Sequence, residues 1–199
     1  MEIKKIVSFE MDQNCYLLTE NGYGILIDPG LDTPKILSKI ENYKVNYILL
    51  THCHFDHLNS LNKIRGLKKV VGTKNCSINM LKQDVSLCEN EYLPKIKCDI
   101  EMKNGEEMEF DGIKVKCIHT PGHTKGSCCY LIDGKLFSGD TLFYQSIGRW
   151  DLPTGNYSDL EKSIREKIYT LDENIVIYPG HGRETDVAHE KKYNAFITE

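Results

Sequence analysis

The stretch Thr51-His52-Cys53-His54-Phe55-Asp56-His57 crowds four side chains of metal-ligating type into six residues, directly after the apolar run Val45–Thr51. Side chains alternate along extended backbone, so His52 and His54 face the same way while Cys53 and Phe55 point elsewhere. Asp56 and His57 then open the following turn, and one compact loop can present ligands to two ions lying side by side. A lone histidine is more often a solvated surface residue than a ligand. Four ligand types at this spacing make the surface cluster the weaker reading.

Three later segments share one grammar, a strand end followed by a glycine-marked turn that exposes a single ligand: Thr120-Pro121-Gly122-His123, Ser138-Gly139-Asp140 and Tyr178-Pro179-Gly180-His181. Glycine beside the ligand allows close backbone approach, and proline stiffens the turn, so little entropy remains to be lost on binding. Together the seven positions use five of the seven histidines. Of the other two, His119 is expected to turn away at its strand end in a structural role, and His189 to be a solvated surface residue of the C-terminal helix.

These ligands need strands that end at one place. Runs at Ile3–Phe9, Cys15–Thr19, Gly24–Asp28 and Val45–Thr51 read as strands, the first three as a meander turning at Glu20-Asn21-Gly22. Thr33–Asn42 reads as a helix after the Asp28-Pro29-Gly30 turn, completing a β-α-β unit with its flanking strands. Residues 57–67 are expected to be helical. The stretch of about 72–105 mixes a helix near Thr73–Leu81 with polar, lysine-rich loop and carries no recognisable motif; the role of 82–105 is not legible.

Glu107–Phe110, Ile113–His119, Ser127–Ile132 and Lys135–Ser138 form a second meander, with Asp111-Gly112 and Asp133-Gly134 as two-residue turns. Ser158–Tyr169 reads as a helix capped by Ser158, followed by a strand at Ile175–Tyr178 and a final helix from about Thr185. Strands with interspersed helices in both halves predict an α/β protein (α+β by some schemes), sheet packed on sheet with helices outside. The 199 residues suit a single domain, 1–199.

Composition narrows the function. A formal net charge of −4 and a pI near 6.0 leave no basic footprint for nucleic acid or an anionic membrane, which favours a small-molecule substrate. No apolar run approaches the roughly 20 residues that span a bilayer, and Met1–Tyr16 reads as a strand, not a signal peptide, so a cytoplasmic location is expected. The eight cysteines are irregularly spaced without a C-x-x-C pair and are read as reduced thiols, with Cys128 and Cys129 on opposite faces of their strand. Oligomeric state is not legible.

The order H-x-H-x-D-H, T-P-G-H-T, S-G-D-T-L-F and P-G-H-G, with Asn14-Cys15-Tyr16-Leu17 and Leu26-Ile27-Asp28-Pro29-Gly30 before it, resembles the metallo-β-lactamase superfamily over nearly the whole chain. Within it the chain is similar to the compact glyoxalase II-like hydrolases, a likeness supported by Gly148-Arg149-Trp150-Asp151-Leu152-Pro153-Thr154-Gly155. The resemblance implies the four-layer αββα sandwich of that superfamily. It places His52, His54 and His123 on a first metal, Asp56, His57 and His181 on a second, and Asp140 between both. Asp28 is either a turn former or, as the resemblance favours, a carboxylate that orients a ligand histidine without touching metal. Arg149 and Asp151 either pair to brace their loop or leave Arg149 to reach a substrate carboxylate.

Two divalent ions, two carboxylates and one hydroxide leave a net charge of about +1, suited to an oxyanion formed by attack on a carbonyl. The expected reaction is hydrolysis by a metal-bridging hydroxide, with Asp56 orienting the nucleophile. These motifs hold no further general acid, which favours a thiolate leaving group and hence a thioester such as S-lactoylglutathione or another hydroxyacyl thioester. A tyrosine such as Tyr144 is the candidate donor if one is needed. Nitrogen and oxygen ligands without thiolate accept zinc, iron or manganese, with zinc first.

Histidine at position 54 argues against the flavodiiron branch, Asp140 against those β-lactamases that carry cysteine there, and the chain's length against the nuclease branches. An iron-dependent persulfide dioxygenase, a lactone or other ester hydrolase, and a metal-binding module without catalysis stay as alternatives. Full-length glyoxalase II carries a basic C-terminal helical region that holds glutathione. The present sequence stops short of one, so the thiol carrier is open.

Overall fold

The computed structural model describes residues 1–66, 68–73 and 98–198. Asn21-Gly22, Asp111-Gly112 and Asp133-Gly134 all have positive φ at both positions, the backbone of a tight hairpin turn whose twist matches that of the strands it joins. These turns organise two sheets. In the first, β1 (Glu2–Val7), β2 (Asn14–Glu20) and β3 (Tyr23–Ile27) form an antiparallel meander. Helix α1 (Thr33–Ile40) then returns the chain to β4 (Lys44–Leu49), parallel to β3, as the β-α-β reading requires. Two short helices, α2 (Phe55–Leu58) and α3 (Leu61–Arg65), precede β5 (Lys69–Gly72) and β6 (Ile100–Glu101), which complete this sheet in sequence order.

The second sheet begins with the meander β7 (Glu107–Phe110), β8 (Ile113–His119), β9 (Cys128–Ile132) and β10 (Lys135–Gly139). A separate hairpin, β11 (Leu142–Phe143) and β12 (Ser146–Ile147), follows. Helix α4 (Tyr157–Ser163) runs on as a π-helical turn over Ile164–Ile168. Then β13 (Val176–Pro179) joins β10 in parallel, with β14 (Thr185–Asp186) at the edge and α5 (Val187–Tyr193) last.

Alternation along the strands builds three apolar clusters, one for each interface between four layers. Cys15, Leu17, Leu26 and Ile48 pack with Ile36 of α1 and Leu61 and Ile64 of α3. Tyr16, Leu18, Ile25 and Ile27, on the opposite face of the same strands, meet Val115, Cys128 and Tyr130 between the sheets. Cys129, Leu136 and Ile177 pack outward against Leu160, Ile164, Ile168 and Val187. The result is the expected αββα sandwich, a single compact domain, with Cys128 and Cys129 on opposite faces. Among the described residues no helix is long and apolar enough to cross a membrane.

Several expectations are corrected. Residues 57–67 divide into α2 and α3, because the Ser60 N–H leaves the helix to bond the carbonyls of Pro29 and Gly30. Helix α4 is capped by Asn156, whose side chain accepts from Asp159 N, so Ser158 lies inside the helix. Asp186 caps α5 by accepting from His189 N. The helix placed near Thr73–Leu81 lies outside the described residues except for Thr73, which is not helical. Cys15, Cys98, Cys117, Cys128 and Cys129 are free and buried, but Cys53 is disulfide-bonded, which corrects the reading of all eight cysteines as reduced.

Candidate metal centre

Each candidate ligand follows the carboxyl end of a strand. His52, His54, Asp56 and His57 follow β4, His123 follows β8, Asp140 follows β10 and His181 follows β13. The fold therefore gathers residues distant in sequence at one rim of the sandwich. Ligand atoms of His52, His54 and His123 lie within 4.8 Å of one another, as do those of Asp56, His57 and His181. Asp140 sits between the two trios. Its Oδ1 is 3.2 Å from His57 Nε2, and its Oδ2 is 3.6 Å from both His123 Nε2 and His181 Nε2.

Buried hydrogen bonds fix which nitrogen is free on four of the five imidazoles. Asp28, held at φ 49°, accepts from Thr51 N at 2.8 Å and from Thr51 Oγ1 at 2.6 Å, and its Oδ2 lies 2.9 Å from His57 Nδ1. That partner keeps a proton on Nδ1 and leaves Nε2 to face Asp140. With its proton committed to Asp28, Thr51 Oγ1 can accept from His52 Nδ1 at 3.0 Å, which leaves His52 Nε2 buried with no hydrogen-bond partner. Backbone carbonyls serve two further rings: Arg149 O lies 2.7 Å from His123 Nδ1, and Met11 O 3.0 Å from His181 Nδ1.

Burial pushes His52 well below the usual imidazole range and His123 down to about 4, so both are neutral and ready to donate a lone pair. Burial also acts on Asp140, but His57 and the other imidazoles outweigh it and hold the carboxyl well below the usual range. At His57 charge outweighs burial too. Burial is opposed by Asp140 and Asp56, which raise it well above its ordinary value. The carboxylates draw positive charge into this space, and the partnerless His52 Nε2 faces it. The nitrogen and oxygen donor set fits two divalent cations.

Glycine makes the convergence sterically feasible. A Cβ on Gly180 would overlap Asp140 Oδ1, and one on Gly148 would overlap the Asp140 carbonyl. Above the ligands lies a cleft of about 370 Å³, walled by Met11, Phe55, Phe143, Ile147 and Leu152, with Ser146 and Arg149 at its polar side.

The remaining sequence candidates fall elsewhere. Arg149 lines the cleft, yet its guanidinium is engaged by Asp151 in two hydrogen bonds of 2.9 and 2.8 Å. Tyr144 does not line the cleft; its neighbour Phe143 does. The Tyr144 ring stacks on His189 at 5.0 Å, and the Arg183 guanidinium lies 3.4 Å from its centre. His189 is consequently half-buried, which corrects the expectation of a solvated residue. His119 is apart from the cluster, with Nε2 2.9 Å from Lys125 O.

Sequence reading missed Thr51 and the two orienting carbonyls, since nothing in a backbone oxygen's residue type announces it. It also missed Glu190, a fully buried carboxylate that accepts from Gln145 N, Thr185 Oγ1 and Asn194 Nδ2 and so anchors the hairpin carrying Phe143 and Ser146. A lone glutamate in a lysine-rich helix gives no such signal.

Comparison with known proteins agrees with this geometry. The chain is 31% identical to hydroxyacylglutathione hydrolase GloC of Haemophilus influenzae, over 99% of this chain and 97% of that protein. The crystal structure of BLEG-1 B3 metallo-beta-lactamase superposes with a TM-score of 0.89 at 30% identity, covering 100% of both chains. That of TTHA1623 in a di-iron-bound form gives 0.82 at 27% identity, covering 98% of this chain and 100% of that one. The profile of the metallo-beta-lactamase superfamily matches residues 9–181, from the loop before β2 to the last candidate ligand, and the chain belongs to that superfamily.

Proposed function

We propose that this protein is a dinuclear metal-dependent hydrolase of hydroxyacyl thioesters. The observation that carries the reading is the placing of Asp140 between two ligand trios on the floor of an apolar cleft. Two divalent ions held there, zinc first, would supply a water ionised near neutral pH and positive charge facing a developing oxyanion. Asp56, with Oδ2 3.2 Å from His181 Nε2, is positioned to accept a hydrogen bond from the attacking water and orient it. The apolar walls exclude bulk solvent and strengthen the electrostatics inside.

The leaving group decides the substrate class. With the imidazoles engaged as ligands, Ser146 and Arg149 are the remaining protic side chains lining the cleft among the described residues, and neither readily gives up a proton near neutral pH. A thiolate, with a reference pKa of about 8.5, departs without a donor far more readily than an amine. The 31% identity to a hydroxyacylglutathione hydrolase supports the same class. A second reading, β-lactam hydrolysis, is favoured by the full-length likeness to BLEG-1.

The test compares kcat/KM of zinc-loaded protein on S-lactoylglutathione, hydroxyacyl thioesters of neutral thiols, a lactone and a β-lactam, with metal content measured on the same preparation. Thioesters are expected to exceed the others by at least about tenfold, a difference of about 1.4 kcal/mol in barrier. Inert thioesters would overturn the reading. Bound iron with thiol-dependent oxygen uptake would move the chain to the oxidoreductases.

A further inference from the structure

The loop that lines the cleft also carries an exposed aromatic side chain. Trp150 lies between Arg149 and Leu152, both of which line the cleft, and is 36% exposed. Its indole meets the ring of Tyr157 edge-on at 5.1 Å and that of Phe196 at 6.2 Å, and these are 37% and 50% exposed. Trp150 thus joins two further rings into one exposed aromatic surface on the loop that lines the cleft with Arg149 and Leu152. Contiguous exposed apolar area of this kind marks a binding surface.

Charge at the rim points the same way. Arg149, the one Lys or Arg lining the cleft among the described residues, is paired with Asp151 at two points on the surface. The pair uses Nε and Nη2, and an anionic group reaching the remaining Nη1 would also face the Asp151 carboxylate, whereas apolar contacts meet no such repulsion.

We infer that the part of the substrate remote from the scissile carbonyl is uncharged and apolar, and that it rests on the ledge formed by Trp150, Tyr157 and Phe196. This deepens the thioesterase reading and rests on it. It separates the substrate from glutathione thioesters, whose carrier has two carboxylates. Trp150, Tyr157 and Phe196 act in specificity and take no part in the chemical step.

Trp150 is the chain's single tryptophan, so its fluorescence reports on the ledge directly. The zinc-loaded protein is titrated with two non-hydrolysable thioethers, the neutral S-hexyl-N-acetylcysteamine and the anionic S-methylglutathione. In parallel, kcat/KM is measured for lactoyl thioesters of neutral alkanethiols of increasing length and for S-lactoylglutathione. The neutral thioether is expected to shift the emission saturably and the anionic one to leave it unchanged. Specificity should rise up to about fourfold for each methylene that reaches the ledge. Trp150→Ala should flatten that series, with Trp150→Phe retaining most of the slope.

A flat series, an equal slope in Trp150→Ala, a preference for S-lactoylglutathione, or emission that responds to S-methylglutathione and not to the neutral probe would overturn the inference. So would light scattering that shows wild-type dimers abolished by Trp150→Ala, because the ledge would then be covered by a second copy. If no thioester is hydrolysed, the parent reading fails, while the fluorescence titration still decides whether the ledge binds apolar ligands.

Discussion

Oδ2 of Asp28 lies 2.9 Å from Nδ1 of His57, and both side chains are buried. The same carboxylate takes the Thr51 hydroxyl, which in turn lies 3.0 Å from His52 Nδ1. One residue therefore sets the tautomers of two candidate ligands, one in each trio. An amide at this position would present a donor where three donors now converge. Asp28→Asn is expected to weaken metal binding about 10- to 100-fold, read by competition with a chromogenic chelator. Affinity within twofold of wild type would contradict the orienting role.

Gly180 and Gly182 make a matched pair. A Cβ at Gly180 would overlap Asp140 Oδ1 and come within 2.7 Å of His57 Cε1, whereas a Cβ at Gly182 meets nothing within 4 Å but sits on a φ of +76°. Gly180→Ala should lower metal affinity by at least about tenfold, as expected when a carboxylate facing both trios is displaced. Gly182→Ala should cost about 1 kcal/mol of stability through backbone strain and leave metal affinity unchanged. Equal effects of the two on chelator competition would contradict the proposed close packing.

Thr154 carries a different strain. It is a β-branched residue at φ 70°, and its Oγ1 is buried without a hydrogen-bond partner. The left-handed backbone costs roughly 1–2 kcal/mol and the stranded hydroxyl about 1–3 kcal/mol, against about 1 kcal/mol of extra chain entropy for glycine in the unfolded state. Thr154→Gly should therefore stabilise the protein by at least about 1 kcal/mol, raising Tm by about 2–4 °C in calorimetry. A fall in Tm would show that the hydroxyl or the methyl contributes packing that outweighs the strain.

Much of this architecture was legible because its signals are local. Asx-Gly turns marked the hairpins, and strand ends followed by glycine marked where His123, Asp140 and His181 would emerge. What escaped depends on tertiary neighbours. Strand β5, Lys-Val-Val-Gly, is too short to show a period, and β14 has only two residues. Asn156 caps α4 in place of Ser158 because the chain arrives there extended, with Asn156 N bonded to Gly122 O, a contact made across the fold. Tyr144 was a reasonable proton donor by type. The hairpin turn carries its ring to Arg183 and His189 while Phe143 takes the cleft wall.

The central claim is that seven side chains from four strand ends hold two cations with Asp140 between them. Its most direct test is metal stoichiometry by elemental analysis after zinc loading and desalting, in wild type and in Asp140→Ala, with folding checked by circular dichroism. The wild type should retain two equivalents per chain, and the folded variant should retain at most one. Retention of one or none by the wild type, or of two by the variant, would contradict the account.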